Sequence, residues 1–303
     1  MNLAADQLID RRRIRRSRAV WRAATILLAL TGALLWLGRG VLNRAEGPYV
    51  ARLAVEGFIG DDRKLIEAID GLAKEDRAKA LLVAIDSPGG SVGGGEALHG
   101  ALVRLGKRKP VVAVMRGTAA SAAYMAAVGT ERIWARDSTV TGSIGVLLQT
   151  LDSSELLARL GVRGEALVSG PLKAQPNPFQ PLSPEGRAAL QGVIMDLYDQ
   201  FVAMVVEGRK LPEAKVRALA DGRVFTGRQA LAVGLIDAIG GEREAREWLA
   251  TQKNIPDSLP LQEVRTRNTV DRWLRSTWQG LIETLVTEGL RVDRLAGLWQ
   301  LSR

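Results

Sequence analysis

Between residues 49 and 241 the hydrophobic positions change period repeatedly, and the changes predict strands alternating with helices. Tyr49–Val55 and Val111–Val114 read as strands, and the unbroken apolar run Ala80–Ile85 suits a strand covered on both faces, as in parallel sheets. Asp62–Ala73 and Gly95–Leu105 repeat apolar residues at helical spacing, so these segments form βαβ units of an α/β fold. Short strands punctuated by helices continue to Val168, and Ser169–Leu182, with four prolines, reads as a loop. Ser183-Pro184-Glu185 then opens a long helix: serine at the N-cap, proline at the first helical position and an acid in the first turn. That helix is predicted to run to about Lys210. Asp221–Gly241 closes the domain with a turn, a short helix around Gln229–Val233 and a Gly-Gly stop.

The predicted organisation is an arginine-rich tail over 1–20, an apolar segment over 21–40, a folded domain over 48–245 and a C-terminal helical extension over 246–303. In the extension, Trp273, Trp278 and Trp299 with scattered arginines suit amphipathic helices, packed on the domain or a neighbouring subunit or lying on a membrane surface. The run Ala23–Gly38 is bracketed by Arg22 and Arg39, whose stems can snorkel to two interfaces, with Trp21 and Trp36 near its ends. At 16 residues it is short for a span, and snorkelling and local thinning make up the difference. Six arginines precede it within residues 1–18, so the positive-inside rule places residues 1–20 in the cytoplasm and the domain across the membrane. No A-x-A-like cleavage site follows, which favours a retained transmembrane helix over a cleaved signal peptide.

Charge and composition narrow the chemistry. The net charge is +9, but those six arginines against Asp6 and Asp10 supply +4 of it, and the central region has no basic stripe interleaved with aromatics. Nucleic acid is therefore not an expected partner. The chain has no cysteine and a single histidine, His99, so disulfides, thiol nucleophiles and sites needing two imidazoles are excluded. No metal and no cofactor is expected.

Four segments carry candidate chemistry. Asp86-Ser87-Pro88-Gly89-Gly90-Ser91 follows a buried strand and precedes a helix, where backbone N–H groups can turn toward an anion. It is no P-loop, since no Gly-Lys-Ser/Thr follows. Gly117-Thr118-Ala119-Ala120-Ser121-Ala122-Ala123-Tyr124 puts Ser121 where a strand gives way to a helix of small residues. Such a place exposes the hydroxyl beside the next N–H, that of Ala122, although a serine there can equally be a helix cap. Thr141-Gly142-Ser143-Ile144-Gly145 and Ser169-Gly170-Pro171-Leu172-Lys173 complete the set, and a lone lysine is most simply a solvated charge.

Taken together and in this order, with Asp221-Gly222-Arg223-Val224-Phe225-Thr226-Gly227-Arg228-Gln229-Ala230 near the end, these segments resemble the signal peptide peptidase A (SppA) family over roughly residues 50–241. The resemblance implies a crotonase/Clp-like α/β fold of repeated ββα/βαβ units, preceded by one N-terminal transmembrane helix. It implies a Ser–Lys dyad with Ser121 as nucleophile and Lys173, 52 residues later, as general base, oriented by Ser143. It also implies an oxyanion hole from Gly89, Gly90 and Ala122, and substrate contacts at Ser91, Tyr124 and Gly142. One departure stands out: the family pattern Ser-Gly-Gly-Tyr is here Ser121-Ala122-Ala123-Tyr124, and an alanine methyl is expected to narrow the site.

The expected protein is a serine endopeptidase of the bacterial inner membrane, single-pass, with its catalytic domain on the periplasmic side. It would degrade signal peptides and other short hydrophobic peptides and assemble as a homo-oligomeric ring. The alternatives are an acyl-CoA hydratase or isomerase, which would use paired carboxylates, and a non-catalytic membrane scaffold of the same fold. A serine needs a base, and lysine serves as one when desolvation favours its neutral amine. His99, upstream of Ser121, leaves a Ser-His-Asp triad without its histidine and reads instead as a partly buried helix residue.

Overall fold

The computed structural model describes residues 21, 25–32 and 47–264. The chain divides into two compact units, Met1–Gly47 and Pro48–Arg303. In the first, residues 25–32 are helical and expose Ile26, Leu27, Leu28 and Leu30. The rest of the predicted anchor, the arginine-rich tail and the tryptophan-bearing part of the extension lie outside the described residues.

The second unit is built on β1 (Tyr49–Ile59), β2 (Ala78–Gly90) and β3 (Val111–Ala120). These strands pair in parallel through α1 (Arg63–Leu72) and α2 (Val92–Gly106), as the βαβ reading requires. α3 (Ala122–Ala127) leads to β4 (Arg132–Ala135), which pairs with β3 below the point where β5 (Val140–Gly142) pairs with it. After α4 (Ser154–Arg159), α5 (Pro184–Arg209) and α6 (Glu213–Leu219), the chain returns as β6 (Val224–Thr226), α7 (Gly227–Val233) and β7 (Ala238–Ile239). Sheet order is β6-β5-β3-β2-β1-β8, β8 being Leu261–Glu263, with β7 on β4, and β6 alone is antiparallel to its partner.

Alternation along β1–β3 divides the core between two sheet faces. Leu81, Val83 and Ile85 pack with α2, α3 and the end of α5, where Phe201, Val202 and Val205 are buried. Leu82, Ala84 and Trp134 meet α8 (Glu242–Lys253) through Ala245 and Leu249. Every side chain of 80–85 is at most 2% exposed, as the unbroken apolar run requires.

The compact unit extends beyond residue 245. Gly241, expected to stop the domain, begins α8, and its N–H donates to the Glu244 carboxylate at 2.7 Å. β8 (Leu261–Glu263) then adds to β1 at the sheet edge, with Arg52 bridging Glu242 and Glu263.

α5 is, among the described residues, the one helix long and apolar enough to cross a membrane. Its C-terminal third is seated in the core, and its solvated N-terminal portion carries Val193 and Met195 exposed. The preceding segment exposes Leu147, Leu151, Leu156, Leu160, Leu167 and Phe179. Residues 146–195 thus form an apolar arm left uncovered within a single chain.

His99 on α2 is largely buried, and its Nδ1 lies 2.9 Å from the Met125 carbonyl of α3, so Nδ1 bears the proton and donates. Burial pushes its pKa below the usual imidazole value, against the raising effects of that hydrogen bond and of Glu207 and Glu96. The unfolded chain therefore takes up this proton first as pH falls. Stability from neutral His99 is fully present above about pH 6.5 and declines below it, by up to about 1.4 kcal/mol per pH unit until the folded form titrates. Urea midpoints between pH 7.5 and 5.5 are expected to fall for the wild type and to stay nearly level for His99→Gln.

Candidate active site

β3 ends at Ala120, in register with Gly142 of β5, and the Ser121 N–H donates to the Gly142 carbonyl at 2.9 Å. Ser121 is held at φ 56° and ψ −123°, a conformation costly for a residue with a side chain. Ser91 and Ser183 occupy comparable positions before α2 and α5, and each hydroxyl accepts an N–H of its helix's first turn. Ser121 makes no such bond. Capping is therefore not its role: the half-buried hydroxyl stands at the head of α3, where helix N–H groups lack intrahelical partners.

The Gly-rich end of β2 lies directly against it. Gly89 has φ +114°, and a Cβ there would sit 2.8 Å from Ser121 Cβ and 3.2 Å from the Ala122 nitrogen. A Cβ on Gly90 would fall 2.0 Å from the Ile59 carbonyl oxygen. Neither close approach admits a side chain. The Gly89 N–H is already donated to Ser87 Oγ at 3.1 Å, so Gly89 contributes shape to the expected oxyanion hole, leaving Gly90 as the other glycine amide.

Ser143 follows Gly142 and is thereby brought beside Ser121. It too has positive φ, 49°, and its N–H donates to the Arg223 carbonyl at 2.8 Å. Arg223 in turn grips Asp221 through Nε and Nη2, holding that exposed carboxyl down at about 2. The closing Asp-Gly-Arg-Val-Phe segment thus braces Ser143, a role that its sequence alone does not show.

Two expected substrate contacts are differently employed. Tyr124 is fully buried and its hydroxyl donates to the Leu235 carbonyl at 2.8 Å, so its side chain belongs to the core and cannot touch a peptide. Burial also pushes the Tyr124 phenol pKa upward. The Ser91 hydroxyl caps α2 through the Gly94 N–H. Gly142 contributes backbone, with φ +83° and Phe225 packed where a Cβ would stand. The methyl groups of Ala122 and Ala123 are likewise core: the residues are 2% and 0% exposed, so the departure from Gly-Gly fills the interior.

Lys173 lies in the loop between α4 and α5, exposed, with its N–H on the Gly170 carbonyl. Among the described residues no hydrogen bond joins it to Ser121 or Ser143. The single chain thus brings Ser121, Ser143, Gly89, Gly90 and Ala122 together and leaves Lys173 on the apolar arm. No group of three or more His, Cys, Asp or Glu residues placed to hold a metal occurs among the described residues.

Comparison with known proteins bears on this arrangement. The family model for peptidase family S49 matches residues 104–256, which include Ser121, Ser143 and Lys173. The model for Clp protease matches residues 60–140, the α/β core from α1 to the first residue of β5. A Synechocystis protein named "Putative protease slr0021" is 38% identical over 249 residues, 80% of this chain and 90% of its own length. An Enterococcus faecium protein named "Putative signal peptide peptidase SppA" is 30% identical over 79% of this chain and 75% of its own length. The chloroplastic serine protease SPPA of Arabidopsis thaliana is 31% identical over 89% of this chain and 42% of its own. On these matches the chain, a Clp-like α/β protein, belongs to peptidase family S49 and is a peptidase of the SppA family.

Proposed function

We propose that this peptidase is a serine endopeptidase in which Ser121 attacks the peptide carbonyl and Lys173 acts as its base. The observation that carries the reading is Ser121 itself: a strained strand–helix residue with an uncapped hydroxyl, packed against the Gly89–Gly90 end of β2, where no side chain fits. Ser121 Oγ adds to the carbonyl carbon while its proton passes to Lys173 Nζ, and the Gly90 and Ala122 N–H groups receive the developing oxyanion. Collapse expels the amine with that proton and leaves an acyl-Ser121 ester. Water, deprotonated by the same lysine, then hydrolyses the ester and restores both groups. Ser143 orients the amine.

A lysine base has to be shielded from water, yet Lys173 is exposed in the single chain and sits among the uncovered apolar groups of residues 146–195. We assign the missing cover to neighbouring copies in a closed homo-oligomeric ring, so that each arm carries its Lys173 toward a neighbour's Ser121. Residues 21–40 anchor each copy in a bacterial inner membrane with the catalytic domain on the periplasmic side; the exposed Ile26, Leu27, Leu28 and Leu30 of the helical residues 25–32 support this. A site held there suits short hydrophobic peptides, and the name of the Enterococcus faecium relative supports signal peptides as substrates. The burial of Ala122 and Ala123 in the core supports the enzyme reading over the scaffold alternative.

Ser121→Ala is expected to lose at least about a thousandfold in peptide hydrolysis while remaining folded. Ser121→Gly is expected to be equally inactive but more stable than the wild type by about 1 kcal/mol, since relief of positive-φ strain outweighs glycine's added chain entropy. Activity assays together with urea midpoints check both. Full activity in Ser121→Ala would remove the nucleophile assignment.

Lys173→Ala and Lys173→Arg are both expected to be inactive, arginine because it cannot give up its proton. Refolded together, Ser121→Ala and Lys173→Ala chains are expected to regain part of the activity that neither has alone, where an intact serine meets a neighbour's intact lysine. A silent mixture, shown by cross-linking to be co-assembled, would place the dyad within one chain.

A further inference from the structure

The β1–β2–β3 ladder changes register just before the site. Glu56 faces Asp86 and Phe58 faces Gly89, so Ser87 and Pro88 together stand opposite the single residue Gly57. On the other side Ile85 faces Met115 and Ser87 faces Ala119, so Arg116, Gly117 and Thr118 stand opposite Asp86. β2 thus bulges against β1, and β3 bulges more strongly against β2. Bulges bend a strand and re-aim the residues beyond the bend, at the cost of ladder hydrogen bonds. Here β3 runs straight into Ser121, and β2 carries on through Gly89 and Gly90.

Two side chains supply bonds where the ladder lapses. The half-buried Asp86 carboxylate accepts the Thr118 N–H at 3.0 Å, with Gly117 packed so close that a Cβ there would lie 3.1 Å from Asp86 Oδ1. Ser87, 0% exposed, donates its hydroxyl to the Gly57 carbonyl at 2.5 Å and accepts the Gly89 N–H at 3.1 Å. Asp86 therefore fixes the β3 bulge that aims the nucleophile. Ser87, by holding the Gly89 amide, fixes the peptide plane leading into Gly90.

We propose that Asp86 and Ser87 are positioning residues for peptide hydrolysis, Asp86 acting through Thr118 on Ser121 and Ser87 through Gly89 on the oxyanion donors. The proposal rests on the reading of Ser121 as nucleophile, and it requires of Asp86 a hydrogen-bond acceptor rather than a charge or a proton.

The test uses the full chain with a fluorogenic peptide and a peptidyl aldehyde, which forms a tetrahedral adduct with a serine and carries an oxyanion. Asp86→Ala and Ser87→Ala are expected to lower kcat about 10- to 100-fold with KM within about twofold, less than outright deletion of an oxyanion donor costs. The aldehyde inhibition constant should rise by the same factor as kcat/KM falls. Asp86→Asn keeps an acceptor for Thr118 and should stay within about fivefold of wild type, a rescue that a merely structural carboxylate–charge contact would not give. Binding of the uncleaved peptide to Ser121→Ala, with and without Asp86→Ala, should be equal. An Asp86→Asn as impaired as Asp86→Ala would overturn the proposal for Asp86, as would losses confined to KM. If Ser87→Ala does not fold, Ser87→Cys, which retains a weaker donor and acceptor, should fall between wild type and the Asp86→Ala loss; full activity in it would overturn the proposal for Ser87. A fully active Ser121→Ala would instead defeat the nucleophile reading, and the two failures are thus distinct.

Discussion

One backbone hydrogen bond, from the Ser121 N–H to the Gly142 carbonyl, organises the site. It joins the end of β3 to the end of β5 and holds Ser121 at a positive φ that costs on the order of 1–3 kcal/mol. That cost is sustained because both sides of the junction are packed. Val111 to Met115 in β3 and every residue of α3 are at most 2% exposed. A residue so confined cannot relax into an ordinary helix cap, and its hydroxyl remains unspent. The same bond places Gly142 and Ser143 next to Ser121, so the serine expected to steer the lysine arrives through the sheet rather than through a side-chain contact.

The site is divided in its rigidity and its environment. Ser121, Ser143 and the Gly89–Gly90 end of β2 rest on a sheet buried on both faces, whereas Lys173 rides on a solvated loop among exposed leucines. A nucleophile needs fixed geometry, and a lysine base needs a dry wall. The first is complete in one chain. The proposed ring supplies the second and also covers the apolar arm, so one assembly step answers two separate deficits of the isolated protomer.

Much of this was legible in the sequence. The apolar run 80–85 predicts a strand buried on both faces, and Ser183-Pro184-Glu185 predicts the start of α5; both are found. Ser121's place at a strand–helix junction is found as well. What local pattern missed is tertiary in origin. Pro88-Gly89-Gly90 reads as a turn, yet β2 continues through it, because Asp86 and Ser87 supply bonds across bulges that exist only once three strands are aligned. Tyr124 reads as a site residue beside Ser121, but a six-residue helix with every side chain buried has no wet face to offer. Gly240-Gly241 reads as an end and proves a beginning, since Glu244 reaches back to cap the next helix.

Ser121 as nucleophile, activated by Lys173, is the proposal on which the proposed chemistry rests. Covalent labelling tests this most directly: intact protein is treated with a fluorophosphonate across a pH series, and the modified peptide is identified by mass spectrometry. Modification of Ser121 alone is expected, at a rate that rises with pH and drops by at least about a hundredfold in Lys173→Ala. Modification at another serine, or of Ser121 at an unchanged rate without Lys173, would contradict it.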